Sequence, residues 1–331
     1  MKMKLRVIEF LQILILTLLF SVNSSVAYLE TDNSFRQSLE ASGKKPVFTA
    51  SEVAVKFLFV IEEFSAEQKF ATPMGVFYDK YHNEIYIADT GNDQIDVFDA
   101  DGQPHFQIRN AQGLKAPLDV VVNRENQIYI SQMEKSNLQL FDFRGGHLGN
   151  LYASNDAPFK PGRMCLDADE RLYVVDRERA KILVYDAEGK FQFQFGGKGE
   201  EKGKFRLISG IDVDSAGQIY VADSKQSPIQ VFDRNGQFLL SFGSYGPDAQ
   251  DFAFPGGICI DEKDRIWIAD TFKHQVKVFR TDGSFLFQFG TFGTEMGQFF
   301  FPIDLTLDER GRIYVLEKGA NRLQVFEIQA W

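Results

Sequence analysis

Ile85–Gly102 reads IYIADTGNDQIDVFDADG: an apolar stretch, a polar break, a second apolar stretch, and a polar turn closed by glycine. The register returns from Ile128, Leu172, Ile219, Ile266 and Ile313. Side chains alternate between the two faces of a strand, so in Ile219-Tyr220-Val221-Ala222 the first and third residues share one face and the second and fourth the other. Both faces are largely apolar. A sheet with one wet face alternates apolar with polar, so this pattern predicts sheets sandwiched between neighbours. Gly102, Gly145, Gly189, Gly236 and Gly283 stand at the same place after the second stretch, where a tight hairpin needs positive φ.

Each unit opens on Pro73, Pro117, Pro161, Ile208 (in place of proline), Pro255 and Pro302, at spacings of 44, 44, 47, 47 and 47 residues. That period fits a four-stranded propeller blade and is too long for leucine-rich or ankyrin repeats. A short first strand such as Gly257 to Asp261 precedes the IYVAD strand and the VFD strand. A fourth, of the FLFQFG type, follows at Phe191 to Gly196, Phe238 to Gly243 and Phe285 to Gly290. The last unit reaches Trp331 without a fourth strand, while the strand-like stretch around Lys56 to Glu62 precedes the first unit. The pattern therefore predicts an all-β, six-bladed β-propeller in which the N-terminal strand closes the last blade and removes an exposed sheet edge. An open stack of six sheets would leave that strand unexplained.

Composition adds a compartment and excludes some partners. Lys2, Lys4 and Arg6 precede the apolar run Leu11 to Phe20, and Ser25-Val26-Ala27 offers a cleavage site before Tyr28. Residues 1–27 are expected to be a secretory signal peptide, the run being short for a membrane span. Residues 28–50 read as a polar leader and 51–331 as the propeller. Export makes the protein extracytoplasmic, periplasmic or secreted. No stable membrane span is expected after cleavage, and the propeller is expected to be monomeric. The formal net charge of −10 argues against nucleic acid, which requires clustered Lys and Arg. Cys165 and Cys259 hold the same place in repeats two units apart. A ring would keep their Cα atoms beyond the roughly 7 Å limit for a disulfide, so both are read as buried thiols.

The opening Pro-Gly-Gly of Pro255–Gly257, the run Ile266–Thr271, Val276–Phe279 and Phe289-Gly290 together resemble the NHL repeat, as does Ile85–Asp99 with its Asn92. The resemblance covers about residues 53–331. It implies the six-bladed propeller and leaves activity open, because the fold hosts binding modules and enzymes alike. Gln132 and Glu317 depart from the repeat by replacing the Asp of its AD step.

The repeated Asp89, Asp176, Asp223 and Asp270 are read as acceptors for loop N–H groups just after their strand. A structural rule recurs in every blade, and a catalytic site does not. Two residues after each opening position stand Gly75, Asp119, Arg163, Gly210, Gly257 and Asp304. First strands line the channel, so Asp119, Arg163 and Asp304 form a candidate polar ligand site there, against the plainer reading of an arginine paired with carboxylates. The resemblance extends to peptide-amidating lyases with channel histidines and to lactonase-type hydrolases with a channel cation. Here His82, His105, His147 and His274 are spread over different parts of the units and are not expected to converge as a catalytic zinc requires. No catalytic residue, metal or cofactor is assigned. The loops after the fourth strands vary most, which points to binding. Tyr245, Phe292 and Met296 are candidate partner contacts, whereas Phe205, Phe252 and Phe299 are expected to tuck inward. The expected function is a non-catalytic binding or scaffold module for a protein or a small polar ligand. The alternative is an extracytoplasmic lyase or hydrolase with a metal in the channel.

Overall fold

The fold is described from a computed structural model for residues 47–329, apart from 51–52, 110–112 and 154–156. The expected signal peptide and most of the expected leader lie outside the described residues.

Four antiparallel strands make each blade, and six blades follow one another in the chain. Blade 1 comprises Gly75–Asp79, Glu84–Asp89, Gln94–Asp99 and Pro104–Arg109. Blades 2, 3, 4 and 5 begin at Pro117, Pro161, Ile208 and Pro255 and end at Leu151, Gly196, Phe242 and Phe289. Blade 6 takes Pro302–Leu307, Arg312–Glu317 and Arg322–Gln329 from the C-terminal end. Its fourth strand is Val53–Ile61 from the other end of the chain, paired from Ala54 opposite Gln329 to Ile61 opposite Leu323. The N-terminal closure expected from the missing fourth strand is present. The first strands neighbour one another around the ring, and that of blade 6 returns to that of blade 1.

Three short strands were not expected. Glu63–Ser65 and Gln68–Lys69 pair with each other in a small sheet ahead of blade 1. Val47–Ala50, within the stretch read as leader, pairs along the outside of Val53–Ile61 and gives blade 6 a fifth strand. A closing strand still presents one unpaired edge, and Val47-Phe48-Thr49 has the β-branched and aromatic character that pairs with it.

The two apolar faces of each blade are used as the alternation requires. Six apolar clusters occupy the six junctions between neighbouring blades. Trp267, Tyr173, Tyr220 and Tyr314 of the second strands are among the largest fully buried side chains. Phe205, Phe252 and Phe299 tuck inward at 0, 1 and 0% exposure. The hairpin glycines hold the positive φ expected of them, from 76° at Gly145 to 83° at Gly102. Because the strands alternate in direction, loops entering a blade and loops between its second and third strands open on one face of the ring, here the loop face. The turns after the first and third strands open on the opposite, turn face.

Candidate functional site

The repeated carboxylates are structural, as read. Asp89 accepts from Ala71 N, Asp223 from Arg206 N and Leu207 N, and Asp270 from Ala253 N and Phe254 N. Most of these donors lie in the loop that enters the same blade. Asp176 and Asp223 also take N–H groups just after their strand. Gln132 and Glu317, the two departures, do the same work on Lys115 N and Phe300 N.

Asp119, Arg163 and Asp304 meet in the channel, in a cavity of about 150 Å³ also lined by Gly210, Asp212, Cys165 and Cys259. Arg163 on blade 3 crosses the lumen to blade 6, the blade opposite. Its Nη1 lies 2.7 Å from Asp304 Oδ2 and 3.8 Å from Asp119 Oδ1, and its Nη2 donates to Ile303 O. The carboxylates also staple blades together. Asp119 accepts from Met164 N of blade 3, Asp304 from Val76 N of blade 1, and Asp212 from Ile260 N of blade 5. The small residues of the series make room for them: a Cβ on Gly257 would stand 2.0 Å from Asp304 Oδ1, and one on Gly75 2.7 Å from Asp119 Oδ1.

Burial pushes the Asp119 carboxyl up to about 7; Arg163 pulls it down and Asp304 pushes it further up. Asp304 is also raised, by burial against the pull of Arg163. Asp212 reaches about 7 by burial, with backbone donors opposing. Desolvation outweighs pairing at all three. Arg163 stands where a cation would sit between these carboxylates, which gives the channel an internal counter-charge. Cys165 and Cys259 are free, and burial raises both thiols well above the ordinary range.

The loop face carries a second candidate site, over blades 5 and 6. Phe254, Phe272, His274, Phe292, Phe300 and Phe301 form one connected aromatic cluster with centroid separations of 4.8 to 6.3 Å. Phe292 is 66% exposed and Phe272 37%. The place of Phe272 is taken by Gly91, Glu134, Glu178, Lys225 and Gly319 in the other blades, so an aromatic ring at this position is found in blade 5 alone. His274 Nδ1 accepts from Phe301 N, and burial lowers the pKa of the ring, which keeps it neutral among the phenylalanines. Of the residues expected to face a partner, Phe292 lies in this cluster. Tyr245 is exposed but donates its hydroxyl to Asp223 O, and Met296 packs partly buried against the core of blades 5 and 6. Phe272, Phe300, Phe301 and His274 were missed in the sequence. The signal was available in the Phe299-Phe300-Phe301 run and in the loss of polar character at Phe272.

Two of the four histidines each meet an acid of blade 1, a juxtaposition that the sequence did not foretell. His147 Nε2 meets Asn150 Oδ1 at 3.2 Å and His274 sits in the aromatic cluster, yet His82 and His105 both reach one pair of acids on blade 1. Sequence distance hid this, because the first turn and the outer strand of a blade meet only once the hairpins fold.

Comparison with known proteins agrees with this architecture. Residues 150–241 match the family model of a 6-bladed beta-propeller, and residues 252–279 match that of the NHL repeat. The stretch 252–279, in blade 5, is thus similar to an NHL repeat. The NHL-bearing Protein brain tumor of Drosophila melanogaster is 27% identical over 136 residues, a match covering 39% of this chain and 13% of that protein. Three solved structures share the fold. A protein of unknown function from Bacteroides thetaiotaomicron superposes with a TM-score of 0.62 at 16% identity, over 80% of this chain and 71% of that one. A virginiamycin B lyase from Staphylococcus aureus gives 0.58 at 14%, over 85% and 90%. A gluconolactonase from Xanthomonas campestris gives 0.61 at 14%, over 86% and 95%. At these identities the likeness is one of fold.

Proposed function

We propose that this protein is an exported, non-catalytic scaffold that holds a protein partner on its loop face, over blades 5 and 6. The observation that carries this reading is the exposed aromatic cluster around Phe272 and Phe292, built on one blade junction of a repeat whose other blades place polar residues or glycine there. Aromatic side chains in a rigid frame contribute large contact area at low cost in conformational entropy, and such residues dominate binding energy at protein interfaces. The enzyme reading needs a cation or a substrate among the channel carboxylates, where Arg163 already neutralises Asp304. Export rests on the basic start, the apolar run and the small-residue site that ends at Ala27.

The test is a double substitution, Phe272→Ala with Phe292→Ala, in the exported protein. Partner recovery after cross-linking in the native compartment is expected to fall at least about tenfold, the effect of losing roughly 1.4 kcal/mol at an interface. The melting temperature should stay within a few degrees, because both rings are exposed. Full partner recovery by the double variant would overturn the reading. So would turnover of a lactone or peptide substrate that is abolished by Asp119→Asn.

A further inference from the structure

Blade 1 departs from its five sisters at one place on the turn face. In every blade a polar residue ends the first strand and faces the residue that opens the second. In blades 3, 5 and 6 this is an ion pair: Arg171 Nη2 lies 2.7 Å from Asp167 Oδ2, Arg265 Nε 2.6 Å from Asp261 Oδ2, and Arg312 Nε 3.9 Å from Asp308 Oδ2. Blade 2 has the neutral Asn123 and Gln127, and blade 4 has Asp214 facing Gln218. An aromatic donor on the second strand completes the arrangement in four blades: Tyr173, Tyr220, Trp267 and Tyr314 each donate to the Asp of their own turn.

Blade 1 keeps the acid, Asp79, but puts a second acid, Glu84, where the others have Arg or Gln. Its turn is one residue longer, with Asp79 and Glu84 five positions apart against four for Asp167 and Arg171. The longer turn carries His82. Tyr86, the aromatic of this blade, donates to Glu84 Oε2 at 2.8 Å and leaves Asp79 without it. His82 Nδ1 then lies 2.6 Å from Asp79 Oδ2, and His105 Nδ1, from the outer strand, lies 2.5 Å from Glu84 Oε1. Donor atoms of Asp79, His82 and Glu84 all fall within 4.8 Å of one another.

The two carboxylates are 1 and 8% exposed, and among the described residues no Lys or Arg forms an ion pair with either. Burying charged acids without a counter-charge is costly. Where sister blades supply an arginine, blade 1 supplies two imidazoles, each aimed at a carboxylate and each still open to solvent on its other side. Two neutral imidazoles and two carboxylates balance one divalent cation. Bonds of about 2.0–2.2 Å place the donors of a tetrahedral zinc about 3.3 Å apart; Asp79, His82 and Glu84 already lie within 4.8 Å of one another, and His105 adjoins Glu84. Imidazole donors select a transition metal over calcium or magnesium.

We propose that Asp79, His82, Glu84 and His105 bind one divalent transition metal ion, with zinc the best fit, on the turn face of blade 1. The ion replaces the arginine of blades 3, 5 and 6 and ties the first turn to the outer strand. Tyr86 orients Glu84 as a partner outside the metal's own ligands. The site lies on the opposite face of the ring from the aromatic cluster and does not depend on the reading given to that cluster.

The test uses untagged protein stripped with a chelator and titrated with zinc alone. One equivalent is expected to bind, and zinc at about 100 times its Kd should raise the ratio of folded to unfolded protein about 100-fold. His82→Gln and His105→Gln should each weaken binding by about 10-fold or more. Glu84→Arg, which restores the pairing of blades 3, 5 and 6, should abolish binding while preserving cooperative unfolding. The proposal is overturned if the stripped protein takes up no stoichiometric zinc, or if Glu84→Arg and the two histidine variants bind it as the parent does.

Discussion

The channel shows how a single missing side chain determines what a neighbouring residue can do. Asp304 reaches Arg163 and Val76 N only because Gly257 has no Cβ; the position one would occupy is 2.0 Å from Asp304 Oδ1. Gly257→Ala must therefore displace the carboxylate and leave Arg163 facing fewer partners inside the ring. Breaking a buried pair costs roughly 3–5 kcal/mol. Gly149, on the outer strand of blade 2, has nothing within 4 Å of the corresponding point. Gly149→Ala should be neutral or stabilising by up to about 1 kcal/mol, mostly through the unfolded chain. Denaturant midpoints of the two alanine variants check both expectations, and equal destabilisation would contradict the close packing described for the channel. The same residue scale explains how Gln132 and Glu317 stand in for Asp as acceptors. Each is one methylene longer, and each still reaches a loop N–H.

Among the strands, Val53–Ile61 is the one that converts six blades into a ring. Phe57 is 4% exposed and meets Phe326 edge to face at 5.8 Å, so the two ends of the chain are joined by packing as well as by the ladder. Phe57→Ala is expected to cost about 3–5 kcal/mol, as for a large aromatic removed from a core. Trimming the chain to begin at Ser51 removes, among the described residues, the outermost strand alone and should cost far less. Thermal unfolding of the two variants separates closure from edge cover, and the reading fails if they are equally destabilised. At this scale the sequence was highly legible. A strand without a unit at one end and a unit without a strand at the other left one economical solution. Val47–Ala50 was not legible, because a short edge strand carries no alternation that distinguishes it from a leader.

Across the whole molecule, burying carboxylates in the ring makes stability depend on pH. Asp119 and Asp212 titrate near 7, as does Asp89, whose carboxyl is raised first by burial and also by the nearby Asp96. Ordinary Asp titrates near about 3.9. A folded-state pKa above the unfolded one means that the stabilising contribution is complete below about pH 4 and is lost as the pH rises through 7. The melting temperature is therefore expected to fall between pH 5 and pH 8. Asp212→Asn should flatten that slope whatever it does to the absolute value, and an unchanged slope would count against the raised pKa. The sequence by itself determined the repeat, the blade count, the closure and the structural role of the AD carboxylates, because these depend on alternation and spacing within a unit. It also brought Asp119, Arg163 and Asp304 to the channel, since every first strand must line it. Only the tertiary structure decided that Arg163 spans the lumen to the opposite blade, that Phe272 packs on Phe301 across a blade junction, and that His82 meets Asp79 while His105 meets Glu84. Those three arrangements depend on distances between residues far apart in the chain, and such distances exist only after the hairpins fold and the ring closes.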